Sequence, residues 1–383
     1  MKRNYIAKRF QNAGSGLTLD TEALAKYKDI IDLSIGDTDF ITDEGIINAA
    51  FRDAKAGYTR YGDPKGDPEL IDAVCRAWQE DFEQKLPHDH VLVSASSCLG
   101  MALVMFSILD PGDEVIVFSP YFPMYRTQIE LAGGVCVDVP TYASEDYAIY
   151  EARLRAAITP RTKAIIFNNP TNPTGMAYGN DTLEMLARVA KEYDLLIAAD
   201  EIYTTYLYEG DFRPLRTLPG MAERTITLNS FSKNFLMTGW RVGVIIAEPE
   251  LLEVMNDING SLIYTAPSIS QRAAIHALSM RREIREKYVT AYRDRIFYTA
   301  DRIEKIPYLS LVRPKGTFYL FPGIEKTGLT DDEFCNVLLD KAHVLVSHGK
   351  AFGTAGAGHF RIACTVGIDT LKIAFDRMEK LSF

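Results

Sequence analysis

The sequence has no apolar run long enough to cross a bilayer as a helix, and its first residues, Met1-Lys2-Arg3-Asn4-Tyr5, lack the apolar core of a secretory signal. It has no surplus of positive charge. Its 42 Lys and Arg stand against 51 Asp and Glu, a formal charge of −9, which argues against a nucleic-acid partner. The five cysteines (Cys75, Cys98, Cys136, Cys335, Cys364) are odd in number and show no C-x-x-C spacing, so neither a disulfide framework nor a metal site is expected. Internal repeats, low-complexity linkers and blocks of like charge are also missing, which excludes a solenoid or a charged tail. These absences leave a cytoplasmic protein without membrane or nucleic-acid partners. What is present is ordinary globular composition, 47% hydrophobic and 24% charged, over 383 residues. That length is too great for one small core and predicts two domains, or one large domain with an appendage.

Short apolar runs alternate with helix-period stretches through most of the chain. The predicted strands are Val91–Ser94, Glu114–Phe118, Lys163–Phe167, Leu195–Ala199, Thr225–Leu228 and Val242–Ala247, with helical patterns such as Leu99–Leu109 and Thr182–Tyr193 between them. Such alternation predicts an α/β domain with a mostly parallel sheet covered on both faces. A long charged amphipathic stretch, Met280–Ile306, leads out of it. Beyond lie Leu309–Arg313, Phe318–Phe321, a helix near Thr330–Lys341 and a last strand near His359–Ala363, the pattern of a smaller α+β domain. The early segment Ile31–Phe40 precedes the main alternation.

Ligands of open parallel sheets bind at the carboxyl ends of the strands. Five successive predicted strands end in Ser96-Ser97-Cys98, Pro120-Tyr121-Phe122, Asn168 through Gly175, Asp200-Glu201-Ile202-Tyr203 and Asn229-Ser230-Phe231-Ser232-Lys233. One catalytic mouth explains all five. The turn at Ser96–Cys98 opens a helix and suits a phosphate, although Ser is also a common helix cap. Asp200, directly after four apolar residues, is either a solvated strand-end carboxylate or one that requires a cation or a strong donor.

The segment Ser230-Phe231-Ser232-Lys233, followed by an arginine eight residues after the lysine, resembles the class I/II aminotransferases of pyridoxal-phosphate fold type I, the aspartate aminotransferase superfamily. The resemblance runs from about Ile31 to Met378. It includes Leu33-Ser34-Ile35-Gly36, Pro111-Gly112-Asp113-Glu114-Val115, Asn169-Pro170-Thr171-Asn172-Pro173-Thr174-Gly175, Asp200-Glu201-Ile202-Tyr203, Lys315-Gly316-Thr317-Phe318-Tyr319 and Phe360-Arg361-Ile362. It implies a large domain over 42–285, with a mostly parallel sheet of the seven-stranded type, and a smaller α+β domain made of 1–41 and 286–383. It also implies a pyridoxal 5'-phosphate cofactor in Schiff-base linkage to Lys233, which then serves as the base that moves the substrate's α-proton. Asp200 would pair with the pyridine nitrogen; Tyr203 and Asn172 would donate to the ring's phenolic oxygen; Phe122 would lie on the ring face. Ser97, Cys98, Ser230 and Arg241 would grip the phosphate, and Arg361, with Gly36 and Asn172 beside it, would take the substrate's α-carboxylate. Asn172-Pro173 resembles the family's cis peptide. Tyr61 resembles a tyrosine that reaches the neighbour's phosphate across a homodimer.

The substrate side chain is where the sequence departs. Some aspartate aminotransferases carry a lysine where Cys98 stands, and the stretch Ser261 to Pro267 offers no arginine in its place; Arg126 is a candidate to reach the pocket from elsewhere. The reading is therefore a neutral or aromatic L-amino-acid donor, with 2-oxoglutarate as the acceptor whose second carboxylate meets Arg361 and polar backbone. His348 stands where many relatives have proline and is read as a surface or core histidine, the alternative being contact with the substrate channel. Cys98, beside a phosphate and a helix N-terminus, has the setting of a depressed pKa and is read as structural. Two other functions compete: a pyridoxal-phosphate C–S β-lyase, whose lysine motif continues differently from Asn234–Arg241, and a cofactor-binding sensor domain, for whose DNA-binding segment the chain has no room.

Overall fold

Six runs of β-branched and other apolar residues, each followed by polar or small residues, form strands of one sheet. The computed structural model describes residues 5–6 and 26–383; residues 1–4 and 7–25, with most of the N-terminal part of the expected 1–41 segment, lie outside the described residues. In chain order the strands are β1 (Ile31–Asp32), β2 (Val91–Ser94), β3 (Glu114–Ser119), β4 (Val135–Pro140), β5 (Thr162–Asn168), β6 (Leu196–Asp200), β7 (Thr225–Ser230), β8 (Gly243–Ile246), β9 (Tyr319–Leu320), β10 (Val344–Leu345), β11 (Ser347–His348) and β12 (Phe360–Ala363). Seven of them form the main sheet in the order β2-β8-β7-β6-β5-β3-β4. The five strands β4, β3, β5, β6 and β7 run parallel, and β8 is antiparallel to both of its neighbours. The fold is thus α/β with a mostly parallel sheet.

Both faces are covered, which is why the strands read as continuous apolar runs rather than alternating ones. Val115, Val117, Ile166 and Ile245 pack on one side with Met101, Val104 and Met105 of the helix Ser97–Ile108. Ile116, Phe118, Ile165 and Ile197 pack on the other with Leu183, Leu186 and Val189 of the helix Asn180–Glu192. Each fully buried aliphatic side chain contributes about 1.5–3 kcal/mol. The sequence reading missed β4. Only Val139 in that strand is fully buried, Asp138 interrupts it and Pro140 ends it, as an edge strand permits.

The remaining strands make two small sheets. β1 pairs in parallel with β10, which joins the early segment to the C-terminal part of the chain, and β11-β12-β9 is antiparallel. The helix Arg281–Ile303 buries Ile284, Tyr288, Tyr292, Ile296, Ala300 and Ile303 at helical spacing. The stretch expected as one helix near Thr330–Lys341 is two pieces. Thr330 and Glu333 form a reciprocal cap on the helix Asp331–Val337, which then widens into a π turn over Leu338–Ala342. Leu309–Arg313 forms no strand and contributes only an isolated bridge from Ser310 to Gly323.

Candidate active site

The ends of β3, β5, β6 and β7 open, together with the small sheets, onto a cavity of about 570 Å³. Its wall brings together Gly36, Ser97, Cys98, Phe122, Asn172, Asp200, Tyr203, Ser230, Lys233, Arg241 and Arg361, residues from eight separate stretches of sequence.

Lys233 sits in a single helical turn, Phe231–Asn234, capped by Ser230, whose hydroxyl accepts the Ser232 amide at 3.1 Å. Its ammonium donates to the Gly36 carbonyl. Gly36 has to be glycine, because a Cβ there would lie 1.9 Å from the Tyr319 hydroxyl oxygen.

Asp200 closes β6 and is buried. Its Oδ2 accepts a hydrogen bond from the Tyr125 hydroxyl, while Oδ1 is buried without a partner. Burial pushes the carboxyl up to about 6, against the opposing pull of the Tyr125 hydrogen bond. A lone carboxylate oxygen in such a place is stabilised by a cationic N–H, and it fits a protonated ring nitrogen. Asn168 steadies this end of the sheet by donating to the Asp200 carbonyl at 2.9 Å and accepting the Asn172 amide at 2.8 Å. The Tyr203 hydroxyl lies 3.2 Å from that of Tyr319, and burial raises the Tyr203 pKa well above its ordinary value, so it remains a donor.

At the carboxyl end of β2, Ser96 (φ 90°) turns the chain into the helix Ser97–Ile108. The Ser97 and Cys98 amides belong to its first turn, where no intrahelical acceptor exists, a ready site for an anion. Gly243 lets this turn approach β8, since a Cβ there would come within 2.7 Å of the Ser97 nitrogen. Arg241, itself in a left-handed backbone conformation (φ 54°), lines the same part of the cavity and donates to the Thr238 carbonyl at 2.8 Å. The Cys98 thiol is raised in pKa, not depressed: desolvation outweighs the nearby Arg241 charge. Gln128 reaches its carbonyl at 2.8 Å.

Arg361 is buried on β12. It donates to Asn172 Oδ1 at 3.0 Å, to the Ser34 carbonyl and to the Ser347 hydroxyl at 3.3 Å, and its guanidinium lies 4.6 Å from the Tyr319 ring centre. Its Nε is buried without a partner. Burial lowers its pKa, yet a guanidinium keeps its charge, so the group awaits an anion. The Asn172–Pro173 peptide is cis, as are Asn169–Pro170 and Ser119–Pro120.

Two residues, Arg126 and His348, lie elsewhere than the sequence reading set them, while Tyr61 was read as serving the neighbouring subunit. Arg126 does not reach the cavity: it is held by Asp138 at 2.7 Å and the Tyr121 hydroxyl at 3.0 Å. His348, read as a surface or core residue, lines the cavity with Nδ1 2.6 Å from Asp332. Tyr61 stays outside the cavity of its own chain, 84% exposed and edge-on to Tyr264. The sequence reading missed Tyr125 and Gln128. They lie on the helix Met124–Leu131, the first after β3, and that position beyond a strand's carboxyl end was the available signal.

The family model of the class I and II aminotransferases matches residues 28–378. The chain is 36% identical to the aspartate aminotransferase of Pyrococcus abyssi, with 93% of this chain and 92% of the relative covered. It is also 36% identical to the aromatic-amino-acid aminotransferase 2 of Thermococcus litoralis, with 92% and 91% covered. The chain belongs to the class I and II aminotransferases. Among solved structures, the aspartate aminotransferase of Thermus thermophilus with maleate superimposes with a TM-score of 0.92 at 32% identity, over 99% of this chain and all of that one. This aminotransferase is therefore a transaminase, whose substrates are amino and 2-oxo acids.

Proposed function

We propose that this aminotransferase binds pyridoxal 5'-phosphate through Lys233 and moves an amino group from a neutral or aromatic L-amino acid to a 2-oxo acid such as 2-oxoglutarate. The observation that carries the reading is the unpartnered Asp200 Oδ1, buried in the wall of the cavity that also holds Lys233. When bound, the cofactor supplies a protonated pyridine ring into which negative charge from the substrate's α-carbon can spread. Asp200 holds the ring nitrogen's proton, and in doing so relieves its own desolvation. Lys233 Nζ takes up and returns the substrate's α-proton. Tyr203 and the Nδ2 amide of Asn172, whose oxygen is occupied by Arg361, donate to the ring's phenolic oxygen. The Ser97 and Cys98 amides, Ser230 and Arg241 hold the phosphate, Phe122 lies on the ring face, and Arg361, beside Gly36, orients the α-carboxylate through its free Nε.

The donor class rests on the wall near Arg361, where Ile35, Leu339, Leu345 and Val346 are apolar, and on the engagement of Arg126 with Asp138. The two relatives, named for aspartate and for aromatic amino acids, show that sequences at this distance divide on this property. The exposed Tyr61 supports a homodimer with shared sites, and a division into 42–285 and 1–41 with 286–383 belongs to the same reading. No helix among the described residues is long and apolar enough to cross a membrane, in keeping with a cytoplasmic enzyme.

The test is a half-reaction. Protein loaded with pyridoxal phosphate is mixed with single amino acids without an acceptor, and the cofactor's absorbance is followed. Neutral or aromatic amino acids should shift the band, and Lys233→Ala should lose both the lysine-bound absorbance and activity by at least ~10³-fold. A response to Asp and Glu alone overturns the donor class. Pyruvate and ammonia released from cysteine-like substrates, with no shift by other amino acids, would replace transamination with C–S lysis.

A further inference from the structure

The sequence reading gave the acceptor's second carboxylate to Arg361 and polar backbone, but both terminal nitrogens of Arg361 are engaged within the protein, so that carboxylate needs another partner. Of the side chains that line the cavity among the described residues, four can carry positive charge: Lys233, Arg241, Arg361 and His348. The first is placed at the reacting atoms. Arg241 stands beside the Ser97 turn. Arg361 has both of its terminal nitrogens engaged, by Asn172, Ser34 and Ser347, and keeps one free N–H for the α-carboxylate. His348 has Nδ1 engaged by Asp332 and keeps Nε2 for a ligand.

Its position is set by the fold. On β11, Ser347 pairs with Arg361 and His348 pairs with Phe360, so consecutive side chains leave the strand on alternate faces, and both Arg361 and His348 line the cavity. Asp332, near the start of the capped helix Asp331–Val337, accepts from Nδ1 at 2.6 Å, which leaves Nε2 as the nitrogen that can meet a ligand. Lys350 contacts the other Asp332 oxygen, and Asp331 fastens the same loop by accepting the Lys350 amide at 2.7 Å. Leu345 and Val346, with Asn336 and Leu339 from the helix and π turn, line the same cavity as His348 and Arg361. Methylene groups suit those apolar side chains, and a carboxylate suits the imidazole beside them.

We propose that His348, oriented by Asp332, binds the distal carboxylate of a dicarboxylic 2-oxo acid acceptor and so sets acceptor preference. This rests on the transaminase reading above. The same apolar wall then serves the donor's uncharged side chain in one half of the reaction and the acceptor's methylenes in the other.

The experiment compares kcat/KM for 2-oxoglutarate and for pyruvate, with a fixed donor, in the cofactor-loaded enzyme and in His348→Phe, His348→Gln and Asp332→Asn. In His348→Phe the ratio of 2-oxoglutarate to pyruvate should fall about ten- to hundredfold, the effect of one lost charge-assisted hydrogen bond, chiefly through KM for 2-oxoglutarate. His348→Gln, which keeps a donor of similar reach, should lose less and provides the measurement if the phenylalanine variant does not fold. Asp332 is a positioning residue, and Asp332→Asn should move the same ratio in the same direction by a smaller factor. A merely structural role would lower both acceptors together. A ratio within twofold of wild type in both His348 variants, or a wild-type enzyme that does not accept 2-oxoglutarate, overturns the proposal. If no amino acid shifts the cofactor band, the transaminase reading falls and takes this one with it; if the band shifts and the ratio stays, only the role of His348 is lost.

Discussion

The two sides of the cavity are built differently. On one side stand Ser97, Cys98, Asn172, Asp200, Ser230 and Lys233, at or near the ends of four strands of the seven-stranded sheet. On the other stand Ser34, Tyr319, Asn336, Leu339, Val346 to His348 and Arg361, contributed by strands of two to four residues, one helix with a π turn, and a segment some three hundred residues away in sequence. The first side is rigid because each residue extends a strand buried on both faces. The second is held by hydrogen bonds between separate segments, such as Arg361 to Ser34 and His348 to Asp332. A rigid parallel sheet suits chemistry common to every substrate, and a wall assembled from short pieces suits the part of the reaction in which substrates differ. Changes on the sheet side should therefore affect all substrates alike, and changes on the other side should separate them, as expected of His348.

The strongest break of this comparison is Asp200→Ala. It removes the buried carboxylate that meets the ring nitrogen, and turnover should fall roughly 10²- to 10⁴-fold. The loss should be the same, within about threefold, for every donor and acceptor, with cofactor still bound. Steady-state kinetics on two donors and two acceptors measure it. A loss that differs tenfold between substrates would contradict the division of labour.

That division also governs what could be read from the sequence. The sheet side was legible because a parallel strand and the turn after it are contiguous, so Asp200-Glu201-Ile202-Tyr203 and Ser230 to Lys233 carry both the element and the chemistry. The other side was less so. Arg361 was found through a resemblance, but the proximity of His348 to Asp332 depends on where a π turn places residues 338–342, and no local spacing encodes that. Arg126 gave the converse error. Its charge made it a candidate for the pocket, and its partner Asp138 lies on β4, the strand the sequence reading missed.

A finer cut on the sheet side is Tyr125→Phe. The hydroxyl donates to Asp200 Oδ2, and Tyr125 is fully enclosed, with desolvation raising its pKa far above the ordinary value. Its removal leaves one carboxylate oxygen with a donor fewer and should lower kcat about three- to tenfold, near the worth of one ordinary hydrogen bond. The factor should again be equal across substrates. Rates that drop only for aromatic donors would move Tyr125 to the substrate side of the comparison.

The smallest effect on activity, and the sharpest contrast, comes from the residue next to Asp200. Glu201 is equally buried, but it belongs to the scaffold: its Oε1 accepts the Leu215 amide at 3.0 Å, and burial pushes its carboxyl up to about 8. A carboxyl whose folded pKa lies above its unfolded value of about 4.5 favours the folded state only while it is protonated. Its ionisation disfavours folding increasingly as pH rises from 4.5 to 8, and no further beyond. Glu201→Gln keeps the acceptor for Leu215 and removes the charge, so the variant should gain melting temperature relative to wild type between pH 5 and pH 8. The gain should be a few degrees, from a free-energy difference on the order of a few kcal/mol at most. Activity should change less than twofold. Thermal melts with and without pyridoxal phosphate complete the test, because bound cofactor gives Asp200 its counter-charge and gives Glu201 none. The Glu201→Gln gain should thus persist in the loaded enzyme, and its disappearance on cofactor binding would mean that the two neighbouring carboxyls titrate as one unit.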